Sequence, residues 1–292
     1  MGSLPNSLPT PGSAAGRGGL AALLERPERA VVALDFDGTL APIVADPEQA
    51  RAHPGAVPAL TRLAPLVGSV AVITGRPAEV AVRYGGFAGA PGLDHLVVLG
   101  HYGAERWDAA TGAVSAPPPH PGVAAARDEL PGILGGDESL HVEDKGGRAV
   151  AVHTRRAADP RAAFEALREP LGALAERHGL VVEPGRMVLE LRPPGIDKGV
   201  ALTAHVRDSG ARAVLYAGDD LGDLAAFGAV EKLRSDGVPG LRVCSAAASA
   251  EGAEELAERA DVVVDGPAGT VALLDALADA LAGRAGDGDS GA

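Results

Sequence analysis

The sequence predicts an α/β fold, a doubly wound parallel sheet that carries a smaller inserted α+β module. Three observations lead there. Short apolar, β-branched runs alternate along the chain with Ala- and Leu-rich segments of helical period, the order of a βαβα protein. The runs are continuously apolar, as strands covered on both faces are. The middle of the chain departs from this, with segments that alternate polar and apolar residues as strands covered on one face do.

The composition permits such a core. The 292 residues are 46% hydrophobic and 22% charged, which excludes a mainly disordered chain. Aromatic residues make up only 3%, so Ala, Val and Leu must build the interior. Cys244 is the single cysteine, which excludes an intramolecular disulfide framework and a Cys-rich zinc site. The net charge of −13 argues against nucleic-acid and anionic-membrane partners, since both need a basic face. No apolar run approaches the roughly 20 residues of a membrane helix. The opening residues, MGSLPNSLPTPGSAAGRGG, lack a basic start followed by an apolar stretch, so no secretory signal is expected and the default is a soluble cytoplasmic protein.

In chain order, residues 1–19 are rich in Gly, Pro and Ser and read as a mobile tail whose deletion should be silent. Arg29–Leu34, Ser69–Ile73 and His95–Leu99 are buried-strand candidates, with helical segments at Val57–Leu66 and Ala78–Tyr84. Residues 108–192 read as the inserted module. The Pro- and Gly-rich Ala116–Gly122 lies near its entry and Pro193–Gly195 at its exit. Within it, His141–Arg155 and Leu180–Arg192 alternate, and Asp159–Gly179 is helical. The core then resumes with a helix at Lys198–Asp208, a strand at Ala213–Ala217, a helix at Asp223–Lys232, a strand at Asp261–Val264 and a helix at Val271–Leu281. The expected core is therefore 20–107 plus 193–283, with a second tail at 284–292.

The chemistry concentrates where strands end. Asp35-Phe36-Asp37-Gly38-Thr39-Leu40 directly follows the first strand, and ligands of open α/β sheets bind at that C-terminal end. Aspartates at i and i+2 project to one side of an extended chain, and Gly38 allows it to turn away. A second acidic segment, Gly218-Asp219-Asp220-Leu221-Gly222-Asp223, follows the strand at Ala213–Ala217. Like charges 4 Å apart repel by about 4 kcal/mol at an effective dielectric of 20. Mg²⁺, which favours hard oxygen ligands, is the natural neutraliser. Helix capping by Asp223 is a role that could coexist with it. Thr74-Gly75-Arg76-Pro77 ends another strand and offers a hydroxyl and amides to an anion. Lys198 opens the next helix; alone it would read as a solvated surface charge.

Four motifs in this order, DFDGTL (35–40), TGR (74–76), Lys198 and GDDLGD (218–223), resemble the haloacid-dehalogenase superfamily of phosphotransferases. The segments DFDGTLAPIVADPEQA, LGHYGAE, HVEDKGGRAVAVHTR and PGRMVLELRPPGIDKG look like its trehalose-phosphatase family, over about Val31 to Val264. The resemblance implies a Rossmann-like haloacid-dehalogenase core with the inserted module as its cap. It implies that Asp35 is the nucleophile that becomes an aspartyl-phosphate. By the same resemblance Asp37 protonates the leaving alcohol and then activates water. Thr74 and Lys198 would hold the phosphoryl group, with Gly75 and Arg76 in substrate binding. Asp35, the Asp37 carbonyl and Asp219 would bind Mg²⁺, with Asp220 and Asp223 supporting. Cap residues Glu143, Lys145, His153, Arg155 and Glu190, with Glu105 of the core, would contact the sugar.

The strand spacing is compatible with those cap roles. Period two puts Glu143 with Lys145, and His153 with Arg155, while Arg186, Glu190 and Arg192 lie opposite Met187, Leu189 and Leu191. Cross-strand charge pairs on a solvated face would look the same. The implied activity is hydrolysis of trehalose 6-phosphate to trehalose and phosphate, the last step of trehalose biosynthesis. It links the chain functionally to a trehalose-6-phosphate synthase without implying that the two bind. Cap closure would exclude bulk water. The chain departs from the family pattern at Gly222 (often Thr), Leu224 (often Glu), Tyr102 (often His) and Thr74 (often Ser). Two other readings remain: a phosphatase of another sugar phosphate, such as sucrose phosphate or a glycosyl-phosphoglycerate, and a non-catalytic module that accepts phosphate on Asp35. Asp37 argues against the latter, because it supplies the acid–base group that turnover needs.

Overall fold

The computed structural model describes residues 7–185, 187–246 and 253–288. The run Ala30–Leu34 forms a wholly buried strand, β1, preceded by helix α1 (Ala14–Glu25). Its alternate side chains enter two separate cores: Val32 and Leu34 one, Val31 and Ala33 the other. A strand with two dry faces has no place for a polar residue, which is why such runs are continuously apolar. The chain continues through α2 (Ala56–Leu63), β2 (Ser69–Ile73), α3 (Ala78–Gly85), β3 (Leu96–Gly100), β4 (Glu105–Asp108) and β5 (Ala113–Ser115). Then come α4 (Pro121–Leu134), β6 (His141–Asp144), β7 (Val150–His153), α5 (Pro160–Arg177), β8 (Val181–Gly185) and β9 (Val188–Arg192). The last stretch holds α6 (Lys198–Asp208), β10 (Ala213–Gly218), α7 (Leu224–Ser235), β11 (Gly240–Ser245), α8 (Ala253–Arg259), β12 (Val262–Val264) and α9 (Gly266–Gly288).

Eight strands form the large sheet in the order β12-β11-β10-β1-β2-β3-β4-β5. The first six are parallel, β4 pairs antiparallel with β3, and β5 pairs antiparallel with β4. Both rims are strands of three residues. Leu23 of α1, Leu60 of α2, Ala81 of α3 and Leu274 of α9 fill one core, and Leu202 of α6, Phe227 of α7 and Leu256 of α8 the other. The chain winds outward from β1 to β3, then resumes at β10 on the other side of β1. That reversal opens a crevice at the C-terminal ends of β1 and β10, where ligands of doubly wound sheets bind. Asp35 follows β1 there, its N–H donating to Ala217 O at 2.8 Å.

Residues 116–196 form a second compact unit. Its four-stranded sheet, β6-β7-β9-β8, is antiparallel throughout. Val150, Val152, Leu189 and Leu191 pack with Val123 and Leu130 of α4 and Leu167, Leu171 and Leu174 of α5. Glu190 and Arg192 occupy the opposite face by strand alternation.

Several expectations need correction. The tail expected over 1–19 contains the start of α1, capped by Ser13, whose Oγ accepts from Gly16 N at 2.8 Å. Gly residues suggested a linker, but here they permit close packing: a Cβ on Gly19 would lie 1.9 Å from Gly240 O. Residues 1–6 lie outside the described residues. At the other end, α9 runs through 284–288, and 289–292 lie outside the described residues. The second unit starts at 116 rather than 108 and ends at 196 rather than 192, because β4 and β5 extend the large sheet. Strand β11 escaped notice because Arg242 interrupts its apolar run. Helices α4 and α8 were also unforeseen. Among the described residues, no helix is long and apolar enough to cross a membrane.

Candidate active site

Asp35 and Lys198 meet in the crevice. Asp35 is 4% exposed and Lys198 5%, and Lys198 Nζ lies 2.8 Å from Asp35 Oδ1. Lys198 reaches there from the first turn of α6, which Asp197 caps by accepting from Val200 N. The same Nζ donates to Asp223 Oδ1 at 2.7 Å. Burial works against the charge on Lys198, but Asp223 and Asp35 outweigh it and raise its pKa well above the ordinary value.

Asp223 is fully buried and fully bonded. Its Oδ1 also accepts from the Tyr216 hydroxyl at 2.5 Å. Its Oδ2 accepts from the N–H groups of Asp219 and Asp220 at 2.9 and 3.2 Å. Asp223 therefore fixes both the lysine and the loop that presents Asp219. Gly218 makes room, since a Cβ there would lie 2.3 Å from the Asp223 carboxyl carbon. Asp220 caps the short turn Leu221–Asp223, accepting from Gly222 N at 2.8 Å. Leu224 packs against the apolar core.

Asp219 sits against the backbone of Gly38, where φ is +73° and a Cβ would fall 1.9 Å from Asp219 Oδ2. A side chain at 38 would be both strained and obstructed. Ser245 Oγ donates to Gly38 O at 2.8 Å, which holds this turn from β11. Burial raises the Asp219 carboxyl to about 10, with Asp35, Asp220 and Asp223 adding to the effect. Burial likewise raises Asp35 to about 8 against the pull of Lys198. Asp35, Asp219 and Asp223 offer carboxylate oxygens all within 4.8 Å of one another. Crowded, desolvated hard-oxygen donors of this kind suit a small divalent cation.

The Thr74 segment forms the next part of the crevice. Thr74 is buried, and its Oγ1 accepts from Arg76 N at 3.2 Å. The turn at His101–Gly103 is wedged against it: Tyr102 N donates to Thr74 O and His101 N to Arg76 O, each at 2.9 Å. Tyr102 holds a positive φ of 58°, and its ring lies over Gly75, where a Cβ would meet the hydroxyl at 2.8 Å. Arg76 pairs with Asp37 in a two-pronged contact, Nε to Oδ2 and Nη2 to Oδ1, both 2.7 Å. Glu105 accepts from Ala78 N at 2.9 Å and thereby caps α3.

On the second unit, the sheet gathers four of the five expected cap residues on one face. Glu143, Ala151 and Glu190 are register partners across β6, β7 and β9, and the small Ala151 separates the two acids. His153 Nε2 lies 2.8 Å from Glu143 Oε2, and Lys145 pairs with Glu190. Glu190 is 6% exposed, and its Oε1 has no hydrogen-bond partner among the described residues. Arg155 is not brought there. Strand β7 ends at His153, and Arg155 is exposed in the turn beyond. Arg192 pairs instead with Glu183 at 2.8 Å. Arg186 lies outside the described residues. His141, which sequence reasoning passed over, stacks beside His153 with ring centroids 5.7 Å apart. Tyr216 was also passed over, although a hydroxyl within a buried strand was a usable signal.

A parallel sheet with a switch point, an aspartate after each flanking strand and a buried lysine between them make up a haloacid-dehalogenase-like fold. Solved structures share the fold. The trehalose-6-phosphate phosphatase of Aspergillus fumigatus matches 93% of this chain and 99% of its own at 22% identity and a TM-score of 0.68. A haloacid dehalogenase-like hydrolase from Bacteroides thetaiotaomicron covers 87% of this chain and 99% of its own at 17% identity and a TM-score of 0.56. The family model for trehalose-phosphatase matches residues 33–260, and the chain belongs to that family. The trehalose-phosphate phosphatase of Mycolicibacterium paratuberculosis is 39% identical over 219 residues, covering 71% of this chain and 53% of that one. The chain spans about half the length of the curated relatives it matches.

Proposed function

We propose that this chain is a Mg²⁺-dependent phosphomonoesterase that hydrolyses trehalose 6-phosphate to trehalose and phosphate. The observation that carries the reading is the Lys198 ammonium held between Asp35 and Asp223, beside Asp219, at the switch point. Relatives named trehalose-phosphate phosphatase support the substrate. A trehalose-6-phosphate synthase would supply it, with no binding between the two implied. The setting proposed is the cytoplasm.

Asp35, the Asp37 carbonyl and Asp219 would hold the metal, which would neutralise charge on the phosphoryl oxygens and the crowded carboxylates. Asp35 supplies the attacking oxygen and forms an aspartyl-phosphate, which splits one slow hydrolysis into two steps. Asp37 gives a proton to the departing sugar oxygen and later takes one from water. Lys198 steadies Asp35 and offers positive charge to the phosphoryl group. Thr74 contributes its hydroxyl to the same group. Asp220 and Asp223 support from behind, since Asp223 bonds Lys198 and the loop amides. On the small sheet, Glu143, Lys145, His153 and Glu190 offer the oriented donors and acceptors that a disaccharide needs. The unpartnered Glu190 Oε1 supports a hydroxyl-bearing ligand, because a buried acceptor left unpaired costs about 1–3 kcal/mol.

Phosphate release from a panel of sugar phosphates, with and without Mg²⁺ and with Asp35→Asn alongside, tests the reading. The expected result is Mg²⁺-dependent turnover preferring trehalose 6-phosphate and abolished in the variant. Preference for sucrose phosphate or a glycosyl-phosphoglycerate would overturn the substrate. A single stoichiometric phosphorylation without turnover would overturn the enzyme.

A further inference from the structure

The Arg76 guanidinium lies in a fixed perch. Two of its N–H groups donate to the two oxygens of Asp37 at 2.7 Å each, and Nη1 donates to Pro47 O at 3.0 Å. Three of its five donors are thereby committed. The rings of Tyr84 and Phe36 lie 5.3 and 5.9 Å from its central carbon, so the planar group is also held by aromatic neighbours. Phe36 is fully buried and sits in sequence between Asp35 and Asp37, which ties the perch to the strand end that presents both aspartates. A phosphoryl-binding arginine needs its fork for the ligand, whereas this fork is occupied by a carboxylate of the protein.

Resting on the reading of Asp37 as the acid–base group, we infer that Arg76 is the positioning residue for Asp37. It fixes the plane and the waiting place of the carboxyl. One of the two bonds opens for each proton transfer, and the other keeps the group aimed. In the first step an Asp35 oxygen bonds to phosphorus, the ester P–O bond breaks, and the Asp37 proton passes to the sugar oxygen. In the second, water oxygen bonds to phosphorus, Asp37 takes a water proton, and the Asp35–phosphorus bond breaks to release phosphate. A planar two-pronged donor can fix a carboxyl in this way, and a lysine, as a point charge, cannot.

The test uses Arg76→Gln and Arg76→Lys, alone and combined with Asp37→Asn, on trehalose 6-phosphate and 4-nitrophenyl phosphate. Nitrophenolate departs without a proton, so forming the aspartyl-phosphate from it needs no acid. Arg76→Gln is expected to lower kcat on trehalose 6-phosphate about 100-fold, the lower end of general acid–base contributions, with little change in KM. The first burst of nitrophenolate should keep the rate of the unaltered protein. Arg76→Lys, which keeps the charge, should recover little of the loss and guards against a mere folding defect, with the melting temperature measured alongside. In the Asp37→Asn background, Arg76→Gln should cost almost nothing more. Equal losses in both burst and turnover, a rise in KM alone, or the same fold-loss with and without Asp37 would each overturn the inference. Should the unaltered protein prefer another sugar phosphate, the substrate reading falls and the same comparison is made on that ester, whose alkoxide also needs a proton.

Discussion

Lys198, 5% exposed, touches two carboxylates beyond the C-terminal ends of the central strands of the large sheet, whereas the side chains of Glu143 and His153 on the small sheet are 45% and 33% exposed and bond to each other. At the first place, charges are desolvated and interlocked, so removing one partner strands another at high cost. At the second, water screens the Glu143–His153 pair and its contribution to stability is small. Under the proposed function, the contrast separates two tasks. Groups that act on a transferring phosphoryl must be fixed in advance, because reorganising dipoles during the reaction would cost rate. Groups that recognise hydroxyls tolerate exchange with water. Glu190 stands between the two: it lies on the face proposed to meet the sugar yet is nearly as buried as Asp35 and Asp219.

Lys198→Met attacks the interlocked side and carries the largest expected effect. Turnover should fall by a factor on the order of 10³, and stability by about 3–5 kcal/mol as Asp35 and Asp223 lose their counter-ion. Phosphate release and urea unfolding measure the two losses. Retained stability would mean that the cluster is less interlocked than its geometry implies.

Acid should then act on one buried histidine of the large unit. Burial, assisted by Arg106, pushes His205 of the large unit down to about 4, and its ring bonds Ser69 at 2.9 Å. A neutral group of this kind gives its full stability above the unfolded value of about 6.5 and loses it as pH falls from there toward 4. The loss approaches about 3 kcal/mol. Urea unfolding of the unaltered protein and of His205→Gln at pH 7.5 and 4.5 should therefore show acid lowering the stability of the unaltered protein relative to the variant by nearly that amount, since the raised carboxyls of Asp35 and Asp219 are common to both. An equal change in both proteins would assign the effect elsewhere.

Gly19→Ala probes the packing of α1. A methyl group 1.9 Å from Gly240 O should cost about 2 kcal/mol by overpacking, read as a lower melting temperature. An unchanged value would restore the view of this segment as a dispensable tail.

The smallest effects sharpen the proposed recognition face. Glu190→Gln should raise KM for trehalose 6-phosphate about tenfold, equivalent to one hydrogen bond to a charged group, while 4-nitrophenyl phosphate turnover holds steady. Arg155→Ala should change either constant less than about twofold, as expected of an exposed residue away from such features. A large Arg155 effect would extend the face past the end of β7.

The strands of the large sheet were legible because two dry faces leave a continuous apolar signature, as in β1 and β10. Strand β11 was not, because Arg242 lies on it half-buried, paired with Glu231 and Asp261, and a partner on another element is invisible in a linear pattern. Helix α1 was hidden by glycines whose smallness serves a close approach rather than a flexible linker. Among the site residues, the spacing of Asp35, Asp37, Asp219 and Asp223 was readable because each follows a strand end. The partner of Arg76 was not, since 39 residues separate it from Asp37 and only the fold brings them together. The cap that Glu105 places on α3 was likewise out of reach, since 27 residues separate it from Ala78.

The eight-stranded sheet finishes on each side in a strand of three residues, Val262–Val264 and Ala113–Ser115. Long bare rims are templates on which other chains can add strands. Here each rim offers too few backbone groups in a row for a foreign segment to find a register. The inner strands, the most apolar and most β-prone stretches in the chain, are thereby screened at both borders. A chain whose interior is written in Ala, Val and Leu can keep its most adhesive sequences to itself.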